Sequence, residues 1–320
     1  MEKLDKKDKR LLFELYKDAR ASAVELASRI DVSKEAVTYR LKRLEEKNIL
    51  KKTMAIVDIS ALGFNLFHVQ IRLTPEGKIK KQELIERFRL LPELSWIIEV
   101  SGDWDFVLIF MGPSIHEFKE VYEKFLSKTG KFIDKKTSST IFSIHYFSPH
   151  YLFEEKERIH VQQSMKLSRF KLDSNQEKII NLLEDNGRIP LLHMANELGV
   201  SISTIKYHLK VLEKNKILLT YLPIIETKTL GIDRYRVVFQ LTNPAETKKF
   251  VELLSMNPHI TTIMKLLGVY DVEIECEYSS VEKLLEDIRT IETSIAIRSF
   301  DIMFFNKKIE VRGIPNYDKK

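Results

Sequence analysis

Residues 33–45 read Ser-Lys-Glu-Ala-Val-Thr-Tyr-Arg-Leu-Lys-Arg-Leu-Glu. Val37, Leu41 and Leu44 fall on one helical stripe, and Lys34, Glu35, Thr38, Arg40, Lys42 and Arg43 on the other. A polyphosphate duplex carries one negative charge per ~1.7 Å of axis, so a helix face rich in cations binds it by releasing counterions. Thr38 and Tyr39 add hydroxyls that can reach base edges or phosphates. The N-terminal part of such a helix faces the bases. Lys34, Glu35, Thr38 and Tyr39 are therefore expected toward the major groove of DNA, with Arg40, Lys42 and Arg43 nearer phosphates and Lys51 and Lys52 adding contacts from the next strands. A similar, less cationic set recurs at Ser203, Lys206, Tyr207, His208 and Lys210. The competing reading of both sets is a solvated amphipathic face.

Other groups are open to more than one chemistry. Gly102-x-x-Asp105 and Gly268-x-x-Asp271 suit turns with a glycine at positive φ and an aspartate capping local backbone. Glu273, Glu275 and Glu277 share one side of a strand, with Arg234, Arg236 and Lys265 expected on that side. Stacked like charges need compensation. The row reads as an ion-paired inter-domain face, a solvated edge or a cation site, in that order. His68, Gln70, Arg72, Glu99 and Ser101 are expected on the matching face of an earlier sheet. His145, His150 and His160 are too irregularly spaced to define a metal centre, so no metal and no cofactor is expected. No phosphate-cradling glycine loop, Gly-x-Ser-x-Gly or His-Glu-x-x-His stretch occurs, and the chain is not expected to be an enzyme.

Composition sets the frame. The 320 residues are 44% hydrophobic and 31% charged, enough apolar content for real cores. No apolar run approaches the ~18 residues of a membrane span, and the charged start Met1-Glu2-Lys3-Leu4-Asp5-Lys6 lacks a secretory signal. Cys276 is the only cysteine, which rules out zinc-finger spacing and an intrachain disulfide framework and points to a reducing cytoplasm. The net charge is +6, and residues 1–53 supply most of it with 15 Lys+Arg against 10 Asp+Glu. Residues 172–221 balance at 6 against 6.

Sliding the chain by 168 aligns residues 4–74 with 172–242 without a gap and gives 20 identities over the 71 pairs, Arg20/Arg188, Tyr39/Tyr207 and Leu62-Gly63/Leu230-Gly231 among them. Chance gives roughly four on ordinary residue frequencies. The chain is one module written twice.

Each copy must position its cationic helix with the elements around it. Asp5, Ser22 and Ser33 cap three successive helices, the last two joined by the short turn Asp31-Val32-Ser33. A short hairpin is expected next, completing a winged helix-turn-helix. The period then changes. Strands at 65–73, 94–101, 104–111 and 137–147 and helices at 80–90 and 114–128 give βαββαβ, a ferredoxin-like sandwich. The second copy repeats the order at 235–241, 245–256, 260–267, 270–278, 281–291 and 295–305. The fold class is α+β: two winged helix-turn-helix domains (1–61 and 172–229) alternate with two ferredoxin-like domains (62–149 and 230–320). Residues 150–171 form a linker with a helix-like run at 153–165.

This order of parts resembles the leucine-responsive regulatory protein/AsnC family. Leu4-Asp5-x-x-Asp8, Ala27-x-x-Ile30-x-Val32-Ser33, Val37-x-x-Arg40-Leu41-x-x-Leu44-Glu45-x-x-x-Ile49, Leu62-Gly63 and Val100-Ser101-Gly102-Asp103-Trp104-Asp105 carry the resemblance. Typical members carry one copy and dimerise, so the resemblance implies that one chain here does what two do elsewhere. It further implies a transcriptional regulator that binds double-stranded DNA, works as a homo-oligomer (a dimer of pseudo-dimeric chains), and holds a small amino-acid-like effector near Gly102, Asp105, Gly268 and Asp271. The second copy departs at Ile202 and His208, which stand where the first has Lys34 and Arg40. Siroheme decarboxylases resemble the same regulators, but their His-Asn-Tyr-x-Arg stretch is replaced here by Pro92-Glu93-Leu94-Ser95-Trp96-Ile97 and by Thr261-Thr262-Ile263. A regulator acting through protein partners is the other alternative.

Overall fold

The computed structural model describes residues 2–153 and 157–311; the linker residues 154–156 and the end of the last domain, 312–320, lie outside it. The first head opens with α1 (Lys6–Lys17), α2 (Ala23–Ile30) and α3 (Lys34–Glu46). Each start is fixed by its capping side chain. Asp5 accepts from the Asp8 amide, Ser22 from Glu25 and Ser33 from Ala36, which satisfies amides left without helical partners. Leu11, Leu12, Leu15, Leu26, Val37 and Leu44 are buried between the three helices.

The hairpin expected after α3 does not form. Instead β1 (Leu50–Val57) runs antiparallel to its repeat, β7 (Leu218–Ile225), from Leu50 opposite Ile225 to Val57 opposite Leu218. A lone strand leaves its ladder groups unpaired, and the duplicated copy supplies the equivalent open edge. The two heads are thereby joined by a ribbon shared between the copies.

The first ferredoxin-like unit comprises β2 (Asn65–Leu73), α4 (Pro75–Ile79), α5 (Lys81–Arg89), β3 (Leu94–Gly102), β4 (Phe106–Gly112), α6 (Ile115–Thr129) and β5 (Ile133–Phe147). After it comes β6 (His160–Gln163), in place of the helix-like run expected at 153–165. It adds to the C-terminal half of β5, Phe147 opposite His160, on the side where β2 has ended. An open ladder outweighed a weak helical pattern. The second head is α7 (Ser174–Asp185), α8 (Leu191–Leu198) and α9 (Ile202–Lys214), followed by β7. The second ferredoxin-like unit is β8 (Asp233–Leu241), α10 (Thr247–Met256), β9 (Ile260–Leu267), β10 (Val272–Tyr278), α11 (Val281–Glu292) and β11 (Ile297–Val311).

The two four-stranded sheets close on each other. Strand order runs β2-β4-β3-β11-β8-β10-β9-β5, and β5 pairs back with β2, so the ring has no free edge. Two seams join the copies: β3 with β11, and β5 with β9. The helices cover the outside. Phe67, Val69 and Ile71 meet Phe88, Phe118 and Phe125 there, while Val237, Phe239 and Ile274 meet Phe250 and Leu284. The inside is shared: Ile98, Val100, Ile109, Val238, Met264 and Met303 form one cluster drawn from both copies.

Three expected faces are revised. Glu99 lies on the helix side, 2.7 Å from Lys81 of α5. Ser101 is exposed at the seam and bonds Asn306. Lys265 stands opposite Val272, whose side chain packs under the helices, and so is not on the acidic side.

Candidate nucleic-acid interface

Burial of Val37 and Leu44 turns Lys34, Glu35, Thr38, Tyr39 and Lys42 outward, and all five are exposed. On α9, burial of Ile205, Leu209 and Leu212 leaves Ser203, Lys206, Tyr207 and Lys210 exposed in the same way. The matched tyrosines stand out, since Tyr39 is 65% and Tyr207 64% exposed. The two rings stand at equivalent places on the two recognition helices.

Arg40, Arg43 and His208, expected to contact DNA, are occupied within their own heads. Arg40 Nη1 lies 2.7 Å from both Asp5 and Asp8, and Arg43 Nη2 2.5 Å from Asp8, whose side chain is 1% exposed. A carboxylate taken out of water needs such partners. The guanidinium of Arg40 also holds the Asp5 carboxyl below its ordinary range, against the upward push of partial burial. In the second head His208 is buried, with Nδ1 3.5 Å from Asp173, the repeat of Asp5. His208 thus stands beside the same capping aspartate position as Arg40, without the hydrogen bonds that Arg40 makes.

Lys51 and Lys52 stand on the strand after α3, as expected, but the partner of that strand is β7 of the other copy. On this shared ribbon Lys51 reaches Asn48 at 3.1 Å and Lys52 the Glu184 carbonyl at 3.4 Å.

The pairing of the heads rests on a tie that spacing alone did not mark. Arg20 donates to the carbonyls of Gly187 (2.6 Å) and Ile189 (2.9 Å). Arg188 donates to the carbonyls of Ala19 and Ala21, the repeat-related positions. Burial, with the nearby Arg20 charge, lowers the pKa of Arg188. The only sequence signal was an arginine identical in both copies just after a helix end.

The Gly-x-x-Asp pairs are backbone devices. Asp105 accepts from the Leu73 amide at 2.8 Å and Asp271 from the Leu241 amide at 2.7 Å. Gly102 has φ +124, and a side chain there would meet the Ile302 carbonyl across the seam. Gly268, expected at positive φ, is not among the positive-φ glycines; it is needed because Ser138 and Ser139 crowd its α-carbon. Neither pair lines a described cavity.

The acidic row points into the closed ring, where arginines of its own copy pair with it and one histidine of the other copy reaches it. Arg236 bonds Glu273 and Glu275, His68 of the first copy stands 2.8 Å from Glu273, and Arg234 is 2.8 Å from Glu277. Burial pushes the Glu273 carboxyl up, but Arg236 and His68 outweigh it and leave the pKa at about 2. His145 and His160 meet with ring nitrogens 3.1 Å apart. His150 is not in that pair, and no group of three or more metal-binding side chains occurs among the described residues.

Two three-helix heads, locked together over a closed ring of two sensor-like sheets, define the class of tandem winged-helix proteins. A winged helix-turn-helix DNA-binding model matches residues 4–51 and again 172–218, and an Lrp/AsnC ligand binding domain model matches 66–146. An uncharacterized HTH-type transcriptional regulator of Pyrococcus furiosus is 33% identical over 126 residues, covering 38% of this chain and 83% of the relative. An HTH-type transcriptional regulator of Mycobacterium tuberculosis is 27% identical over 143 residues, 45% of this chain and 95% of the relative. The chain belongs to the Lrp/AsnC family of HTH-type transcriptional regulators. The crystal structure of the siroheme decarboxylase NirDL shares the fold over 97% of this chain and 94% of its own, with TM-score 0.65 and 12% identity.

Proposed function

We propose that this chain is a sequence-specific DNA-binding transcriptional regulator in which α3 and α9 read two half-sites together. The observation that carries this reading is the pair of equivalent exposed faces, Lys34-Thr38-Tyr39-Lys42 and Ser203-Lys206-Tyr207-Lys210, on heads tied by Arg20 and Arg188. Lys34, Glu35, Thr38 and Tyr39 face the major groove, and Lys42, Lys206 and Lys210 supply phosphate contacts. With Arg40 and Arg43 engaged, the lysines carry most of the counterion release. The match of residues 66–146 to a ligand binding domain supports modulation by a small amino-acid-like effector. The helix-covered outsides of the ring are the surfaces left for assembly with further chains. Among the described residues no helix is long and apolar enough to cross a membrane.

A mobility shift with the promoter of the protein's own gene, at two salt concentrations, tests this reading. Retarded complexes whose affinity falls steeply with salt support it.

The whole-chain likeness to NirDL favours a tetrapyrrole-decarboxylating enzyme as the second reading. Ser95, Trp96, Thr261 and Thr262 supply no imidazole at the position where those enzymes carry their histidine stretch. Incubation with siroheme separates the two: a spectral change with carbon dioxide release would establish the enzyme.

A further inference from the structure

Between the shared ribbon and the ring lies a cleft of about 460 Å³, within the size range of small-molecule sites. Lys51 and Lys52 of β1 form one wall, Lys228 a second, and Lys307 of β11 a third. Glu226 and Asp233 line the cleft as well, so four lysines face two carboxylates. Arg234 also lines the cleft, but Glu277 takes its charge, and its guanidinium lies 5.2 Å from the Phe305 ring. Lys307 has only a loose partner in Glu99, at 3.6 Å. Lys228 makes no ion pair among the described residues.

The repeat shows that this charge is particular to one half. At 168 residues' separation, Lys51, Lys52, Lys228 and Arg234 correspond to Leu219, Thr220, Ser60 and Leu66. In the last strands Phe304 stands opposite Tyr235 and Thr140 opposite Phe67, so the separation there is 164 and Lys307 corresponds to Ser143. In the first half the matching region is a largely apolar cavity of about 60 Å³ beside Ile56, Ile59 and Leu66. The linker lies along its rim, the Ser168 and Phe170 amides bonding the Ser60 and Ala61 carbonyls. One half of the duplicated scaffold holds a small, largely apolar cavity. The other holds a larger, cationic one.

We propose that the cationic cleft is a binding site for a small molecule with at least two phosphate or carboxylate groups. Lysines around a low-dielectric concavity reinforce one another's field, and an anion between them relieves that repulsion. Met54, Ile224 and Phe305 give the molecule's uncharged body an apolar wall. The site lies wholly outside the matched ligand binding domain, and Lys228 and Lys307 belong to neither recognition helix. It therefore adds to the DNA reading and does not depend on it.

Isothermal titration of the full chain with pyrophosphate, citrate and ATP provides the test. At least one probe should bind saturably, one per chain, with a dissociation constant below about 1 mM. The double variant Lys228→Gln/Lys307→Gln should weaken that binding by about tenfold or more. Lys228→Arg/Lys307→Arg should keep it, which separates lost charge from lost folding. DNA affinity should be the same in all three proteins. Absence of saturable binding for every probe, or equal affinity in the glutamine variant, would overturn the proposal. So would failure of the arginine variant to bind while its melting temperature matches that of the parent chain.

Discussion

Arg20 and Arg188, 168 residues apart, each donate to the pair of backbone carbonyls that flank the other. The contact is isologous in form although both partners belong to one chain. Hydrogen bonds from a charged donor contribute about 1.5–3 kcal/mol. Arg20→Ala and Arg188→Ala should each cost about that much, and together less than the sum, because each leaves the same interface partly open. Urea unfolding of the two single variants and the double variant measures this.

Salt dependence separates the cations that face outward from those that hold the head together. Lys34→Gln with Lys42→Gln should lower the slope of log affinity against log salt by ~0.9 for each lost phosphate contact while leaving the melting temperature nearly unchanged. Arg40→Ala with Arg43→Ala should do the reverse. It strands the buried Asp8 carboxylate, at a cost of about 3–5 kcal/mol.

The tyrosines offer a test of equivalence. Tyr39→Ala and Tyr207→Ala should each weaken binding to a two-half-site duplex by about tenfold, an effect of ~1.4 kcal/mol. A loss confined to Tyr39 would assign reading to the first head alone. Titrations monitored by fluorescence anisotropy would show which holds.

Glu273 gives the fold a pH signature. Its pKa in the folded chain is about 2, below the ordinary 4.5, so the ion pair contributes fully above 4.5 and is lost as pH falls toward 2. Glu273→Gln removes the carboxylate shared by Arg236 and His68 inside the ring and leaves Arg236 with Glu275 alone. It should cost about 3–5 kcal/mol at neutral pH and flatten the stability profile below pH 4.5. Chemical denaturation across pH 2–7 follows both effects.

Much of this architecture was legible in the residues. Period and capping placed α1–α3 and both βαββαβ units, because Asp5, Ser22, Ser33 and Ser114 announce helix starts locally. The alternation at 272–278 exposed the acidic row, and its compensation followed from electrostatics. What stayed hidden was whatever depends on the partner copy. The sequence around Leu50–Val57 marks a strand but not that Leu218–Ile225 will pair with it. The run at 153–165 looked helical because an edge of β5 open to His160–Gln163 cannot be seen from local pattern. Arg40 and Arg43 looked like free cations because their acceptors, Asp5 and Asp8, lie more than thirty residues away.

Footprinting on duplexes carrying two half-sites at varied spacing addresses the joined heads most directly. One chain should protect both half-sites when they lie a helical turn apart, about 10–10.5 base pairs, and insertion of about half a turn should abolish joint protection. Protection of one half-site only, or equal affinity at every spacing, would contradict the fixed pairing of the two heads.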